Sequence, residues 1–324
     1  MAKQYRVKRR IAQAIVTENG QLSVDVPRGY DIESLGFRLY GSIVVATGAT
    51  SVRAEAPCQL IKRIELISDG KNTIASVPLV LLNRANVWRK QLGSLTPPTA
   101  ATAATYPIEA TGMLDQQLID GLRPKDSNLR TKFMSQLQVR FTFGAAIDCF
   151  VPGAGVASLS GVYCDIFAYE MVELPDENGQ ITNPLYVVKR SFQDIAFTAS
   201  NANMEIILPV GNVMRGVVIR AEGAVTAGEP SDAVINNIQL ASNTDVRFNL
   251  PYLDARAGNK QDYDMTTLPT GIVAADLMSG GQQSVRALEG WDLTQASQAK
   301  LILDVTGATN TRVTVMTVEL LRAA

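Results

Sequence analysis

One feature constrains this chain more than any other: it says the same thing twice. Residues 21–41, QLSVDVPRGYDIESLGFRLYG, return in outline at 203–223, NMEIILPVGNVMRGVVIRAEG. At a constant offset of 182, Pro27/Pro209, Gly29/Gly211, Arg38/Arg220 and Gly41/Gly223 are identical. Apolar positions stay in phase around them, at Val24/Ile206, Val26/Leu208, Leu35/Val217 and Phe37/Ile219. A second block follows in both halves: IKRIELIS at 61–68 answers INNIQLAS at 235–242, now at an offset of 174. Ile61/Ile235, Ile64/Ile238, Leu66/Leu240 and Ser68/Ser242 are identical there, and Pro78 then pairs with Pro251. Each half closes on a run ending Val-Glu-Leu, YCDIFAYEMVEL at 163–174 and RVTVMTVEL at 312–320. Three blocks in one order mark an internal duplication, with copies at about 18–174 and 186–324. A period near 150 residues exceeds any solenoid turn or propeller blade, so each copy is a whole domain.

The repeated blocks alternate with a period of two, as half-buried strands do. Leu22, Val24 and Val26 share one face, as do Met204, Ile206 and Leu208, and Val139, Phe141 and Phe143. Pro-x-Gly at 27–29 and 209–211 is turn chemistry between strands. Many short strands with turns between them make a sandwich or barrel. A chain of 324 residues, 46% of them hydrophobic, has room for two such cores. The reading is all-β: two similar antiparallel sandwiches in tandem. Helical spacing is confined to two stretches of the first copy, TGMLDQQLIDGL (111–122) and NRANVWRKQL (83–92), expected as short helical insertions. The polar, turn-rich PDENGQITNP (175–184) is expected to link the copies, and the Ala/Thr/Pro-biased 93–107 to be a loop.

Histidine is absent from the whole sequence, which removes Ser–His, Cys–His and His-ligated metal chemistry. Cys58, Cys149 and Cys164 share no metal-ligand spacing and read as small buried hydrophobes; Cys149 and Cys164 could be strand neighbours. No apolar run approaches the roughly 18 residues of a membrane span, and the N-terminus lacks the pattern of a secretory signal, so synthesis in a cytoplasm is expected. A net charge of −1 does not describe a surface built throughout for nucleic acid. The exception is the first stretch: Lys3, Arg6, Lys8, Arg9 and Arg10 precede the first acid, Glu18. Val7, Ile11 and Ile15 recur every four residues and would share one face of a helix. Residues 1–17 are therefore expected to form a basic arm, with those five cations against anionic lipid or packaged nucleic acid.

The stretches VPRGYDIESLGFRLYGSI, CQLIKRIELISDGKNTI and CDIFAYEMVEL, with their second-copy partners and the basic arm, resemble the double jelly-roll major capsid proteins of tailless, membrane-containing icosahedral viruses. The likeness covers nearly the whole chain and points toward a lipid-containing bacteriophage, one infecting Flavobacterium. It implies domains at 18–174 and 186–324, each an eight-stranded jelly roll, joined by a linker at 175–185. It also implies a homotrimer of pseudo-hexagonal outline that tiles an icosahedral shell over an internal membrane. The implied partners are further copies of the chain, other virion proteins such as a penton, and the membrane. The implied location is the virion, assembled in the host cytoplasm. No enzyme activity, cofactor or small-molecule substrate is expected.

Other candidates carry less. Asp254, Asn259, Asp262 and Asp264 in DARAGNKQDYD offer oxygens to calcium, but their spacing is not that of an EF-hand, and an ordinary solvated loop is the expectation. VPGAGVASLSG (151–161) lacks the Lys-Ser/Thr ending of a phosphate loop. Trp88 and Trp291 read as core or interface residues. Jelly rolls also serve cupins and lectin-like modules. Cupin enzymes need histidine ligands. The competing reading is a carbohydrate-binding module or a phage spike or receptor-binding protein, which generally presents exposed aromatics, and aromatics here are 6%.

Overall fold

The structure is a computed structural model, and it describes residues 4–48, 51–88, 93–116, 127–151, 155–173, 186–223, 228–243, 245–277 and 290–322. The chain divides into two compact units, one through Val188 and one from Lys189 to Arg322. The expected linker at 175–185 lies outside the described residues.

In the first unit the order is β1 (Gln4–Ile15), β2 (Gln21–Asp25), β3 (Asp31–Thr47), β4 (Ile61–Ser68), β5 (Asn72–Val77), helix α1 (Leu79–Trp88), β6 (Leu95–Thr96), β7 (Ala104–Asp115), β8 (Leu129–Arg130), β9 (Leu137–Phe143) and β10 (Val156–Glu173). One layer runs β1-β10-β3-β7-β6, with β8 beside the start of β3; the other runs β5-β4-β9-β2. The second unit holds β11 (Tyr186–Phe197), β12 (Asn201–Leu208), β13 (Val213–Glu222), β14 (Ile235–Ser242), β15 (Asp245–Pro251), helix α2 (Tyr252–Asp262), β16 (Ile272–Asp276), β17 (Trp291–Asp292), β18 (Ala299–Val305) and β19 (Thr311–Arg322). Its layers run β11-β19-β13-β16, with β17 beside β13, and β12-β18-β14-β15. Leaving aside the two-residue strands, each unit has eight strands among the described residues. Numbered by chain order within its unit, each pairs them as 1-8-3-6 and 2-7-4-5. That is the jelly roll, made twice.

The alternating stretches become the half-buried strands. Leu137, Val139, Phe141 and Phe143 of β9 point inward, as do Ala299, Leu301, Leu303 and Val305 of β18. Phe37 of β3 meets Phe141 of the facing layer edge-on, with ring centroids 5.9 Å apart. The second core closes on Ile206, Val217, Ile219, Leu240, Leu303 and Val315, with Trp291 buried beside them. The two matching blocks IKRIELIS and INNIQLAS are β4 and β14, residue for residue. Gly29 and Gly211 both take positive φ, 135° and 90°, at the turn after β2 and β12. A Cβ at either would meet nothing within 4 Å, so backbone conformation rather than space requires glycine there.

Several expectations are corrected. The segment read as an arm is strand β1, paired with β10 from Gln4↔Glu173 to Ile15↔Tyr163. A spacing of four is commensurate with a strand as well as a helix, because four is a multiple of two. A bulge at Ile11 then shifts the phase, so Ala14 is buried while Ile15 is 62% exposed. Of the helix expected at 111–122, Thr111–Asp115 is the end of β7, and Leu118, Ile119 and Leu122 lie outside the described residues. The helix expected at 83–92 starts earlier, at Leu79. Residues 95–96 and 104–107 of the expected loop are strand. DARAGNKQDYD is no loop either: most of it is α2. The helices are therefore not insertions of the first copy, since each unit carries one, begun directly after the paired prolines Pro78 and Pro251.

The closing Val-Glu-Leu runs also do not superpose. Phe37 faces Ile166 and Ile219 faces Val315, which sets the last strands at an offset of 149. Glu170 and Glu319 are then the true counterparts. Each follows the same bulge, at which the register skips Glu33 on β3 and Arg215 on β13.

Candidate functional site

The basic stretch is built into a sheet. Lys3 lies outside the described residues. Arg6 is held by Glu33 at 2.6 Å, and Arg10 by Asp165 at 3.4 Å. Arg9 pairs with Glu170: Nη2 donates to Oε1 at 2.9 Å, and Nε lies 2.7 Å from Oε2 without the alignment of a hydrogen bond. Hydrogen bonding to Glu170 raises the Arg9 guanidinium above its ordinary value. The Lys8 ammonium sits over the rings of Phe167 and Tyr169, 5.2 and 4.9 Å from their centroids. The structure thus brings Arg6, Lys8, Arg9 and Arg10 together on one edge strand and gives the three arginines carboxylate partners.

Glu170 and Glu319 are both fully buried, and each unit satisfies its glutamate differently. In the first, Arg9 does so while stacking over Tyr30 at 5.5 Å. In the second, Asn212, the counterpart of Tyr30 at the offset of 182, donates to Glu319 Oε2 at 2.9 Å, and the Thr317 hydroxyl donates to Oε1 at 3.1 Å. The shared position and different partners follow from divergence of two copies under one requirement: a buried carboxylate needs hydrogen-bond donors.

The helices solve a different problem. A jelly roll ends in strands whose outer N–H and C=O groups invite pairing with another chain. Asn86 of α1 accepts from the Met113 N–H at 2.7 Å and donates to the Met113 carbonyl at 3.1 Å. Asn259 of α2 does the same to Ala274 of β16, at 2.8 and 2.9 Å. A carboxamide has one acceptor and one donor side, so it imitates a residue of a missing neighbour strand. One turn earlier, Asn83 donates to the Thr111 carbonyl at 2.7 Å and Arg256 to the Ile272 carbonyl at 2.6 Å. The offset is 173 on the helices and 161 on the strands in both pairs. Each helix therefore closes two rungs of an edge, in the same register, in both units. Of these four residues the sequence singles out only Asn259, and there as an oxygen donor to calcium, yet extending the Pro78/Pro251 match by eight positions pairs Asn86 with Asn259.

The remaining candidates find structural roles. Asn259 is 4% exposed and its carboxamide is spent on Ala274. Among the described residues no three His, Cys, Asp or Glu side chains stand close enough to hold a metal ion, and no helix is long and apolar enough to cross a membrane. Cys58, Cys149 and Cys164 are buried thiols outside any disulfide. Cys149 and Cys164 are not strand neighbours: Cys164 lies on β10 and Cys149 in a short 3-10 turn, where its thiol donates to the Ala56 carbonyl at 2.9 Å.

Two eight-stranded sandwiches of one strand order within one chain place the protein in the double jelly-roll fold. Among solved structures it is similar to the MCP of STIV, Sulfolobus Turreted Icosahedral Virus, with a TM-score of 0.73 at 14% identity over 99% of this chain and 97% of that one. It is similar also to the major capsid protein P2 from Bacteriophage PM2, with a TM-score of 0.65 at 13% identity over 99% and 98%. The PBCV-1 virus capsid gives 0.67 at 12% identity over 99% and 94%. At these identities the likeness is one of fold. No protein-family model and no curated protein matches the sequence.

Proposed function

We propose that this chain is a viral major capsid protein, a structural rather than catalytic molecule that works by self-association. The observation that carries the reading is the end-to-end match of both jelly rolls to the STIV and PM2 capsid proteins, which leaves neither chain with a large unmatched domain. Three chains then supply six similar sandwiches, an outline near six-fold that tiles a shell. Trimers of pseudo-hexagonal shape, an icosahedral lattice over an internal membrane and contact with a penton belong to the same proposal, as does assembly in the host cytoplasm. The PM2 likeness supports a bacterial virus as the setting.

Contact of Lys3, Arg6, Lys8, Arg9 and Arg10 with anionic lipid or nucleic acid is also part of it. Support comes from the gathering of Arg6, Lys8, Arg9 and Arg10 on one strand with no acid among residues 4–15; the ion pairs of the three arginines reduce the free charge. Because residues 4–10 belong to β1, the test is charge removal rather than deletion. Lys8→Gln with Arg10→Gln is expected to lower flotation with anionic liposomes, and unchanged flotation removes the contact.

Native mass measurement with negative-stain microscopy of the purified protein tests the main reading. Trimers of hexagonal outline support it. A monomer that binds sugars would instead favour a carbohydrate-binding or receptor-binding module.

A further inference from the structure

The two units treat one surface differently. In each, the chain turns at once from the fifth strand, β5 or β15, into α1 or α2. In the first unit this corner is covered: Ile74 is 6% exposed, Val77 0% and Val80 7%. At the offset of 173 the counterparts are Arg247, Leu250 and Leu253. Arg247 is exposed, and Leu250 and Leu253 are 40% and 70% exposed. Phe248 and Leu250 lie on the side of Leu240 and Ile238, where Phe248 packs against the core; a bulge at Arg247 turns Val246, 49% exposed, to the other face, opposite Ala241. Among the described residues β15 has no strand along its outer edge. The second unit therefore presents, bare, the position that the first unit buries.

The opposite feature stands on the first unit. β1 is a 12-residue edge strand whose outer rim carries no strand among the described residues, and it holds Arg6, Lys8, Arg9 and Arg10 with no acid. Around β15 and α2 the exposed charges are Asp245, Asp254, Asp262 and Asp264 against Arg247 and Lys260. Glu33, Glu170 and Asp165 partly neutralise Arg6, Arg9 and Arg10, yet the strand itself offers four cations and no anion, so an edge carrying carboxylates suits it better than a second β1 does. The edges of β7 and β16 are closed by the helix carboxamides and do not compete.

We propose that β15 and the first turn of α2 form the docking surface for a second copy of this chain, which presents the open edge of its β1. The contact joins two different surfaces, so it is heterologous, and repeated copies close a ring wherever the rotation permits. This names the surface through which the self-association proposed above takes place, and it rests on that reading.

The test compares wild type with Leu250→Lys/Leu253→Lys, by native mass spectrometry over a concentration series and by hydrogen exchange of the β1 and β15 amides. Both leucines are substantially exposed within the chain, so the variant is expected to fold with unchanged circular dichroism. It should associate about a hundredfold more weakly, since two cations would replace apolar contacts and face the cations of β1. In assembled wild type the amides of β1 and β15 should exchange more slowly than in the dissociated chain. A variant that associates like wild type overturns the proposal, and so do β15 amides that exchange equally fast in both states of the wild type. If the variant misfolds, the wild-type exchange comparison still decides. A wild type that stays monomeric at every concentration overturns the self-association reading itself, a result distinct from the other two.

Discussion

Replacing Asn259 with leucine removes both hydrogen bonds from α2 to Ala274 while nearly preserving volume. Ala274 is 1% exposed, so its N–H and carbonyl, now 2.8 and 2.9 Å from the carboxamide, lose their partners where water cannot readily replace them. A buried polar group stranded in this way costs about 1–3 kcal/mol. Two such groups, with some relaxation of the helix, lead us to expect a loss of about 3 kcal/mol. For a unit of this size a loss of 1 kcal/mol lowers the midpoint by roughly 2–4 °C or slightly more, so the second unit should melt about 10 °C lower. Scanning calorimetry at fixed protein concentration reads the shift, and hydrogen exchange of the Ala274 amide reads its cause. Asn86→Leu is the internal replicate: it should lower the first unit's transition by a similar amount and expose the Met113 amide. If Asn259→Leu melts within about 2 °C of wild type with Ala274 still protected, the carboxamide is not what closes the edge, and the reasoning fails for both units.

Four further outcomes are expected. Phe37→Ala should cost about 3–5 kcal/mol in the first unit's urea-unfolding transition, because the ring is fully buried against Phe141. Arg9→Leu should cost about 3–5 kcal/mol by leaving the Glu170 charge buried and alone, and adding Glu170→Leu should recover most of it; a double variant no better than the single one would refute the pairing argument. The Ser135 hydroxyl and N–H, 2.8 and 2.6 Å from Asp69 Oδ1, hold that carboxyl below its ordinary value. A folded value depressed below the unfolded one of about 3.9 stabilises above that pH and ceases to as pH falls through the folded value. Ser135→Ala should therefore raise the Asp69 titration midpoint measured by NMR. Burial pushes the Cys164 thiol up to about 12 and Cys149 well above the ordinary thiol range, so iodoacetamide at pH 8 should leave both unmodified in native protein and label both after urea, as read by mass spectrometry.

Much of the fold was legible because a strand shows its buried face every second residue. QLSVDV, NMEIIL and QVRFTF are strands for that reason, and the Pro-x-Gly turns recur because the backbone there needs positive φ. The failures cluster where periodicity is ambiguous or where both faces are covered. Val7, Ile11 and Ile15 fit either period. Met113 and Leu114 sit in a strand end closed on both edges, by β3 and by Asn86. In β13 every residue from Met214 to Ala221 is buried, which erases alternation altogether. The polar composition of α2 hid it, because its apolar anchor is only Tyr252 and Ala255 and the rest of its hold on the sheet comes from Arg256 and Asn259.

The candidate site divides in the same way. The cations of residues 3–10 are visible in the sequence, whereas their partners Glu33, Asp165 and Glu170 are separated from them by 27, 155 and 161 positions. By itself the sequence determined that the chain is a duplicated all-β protein without histidine chemistry, since repetition and side-chain period are written along one dimension. Tertiary structure alone decided which strands end up as edges, which of those edges a helix closes, and which are left bare. An edge is defined by the absence of a neighbour across space, and linear order carries no record of that.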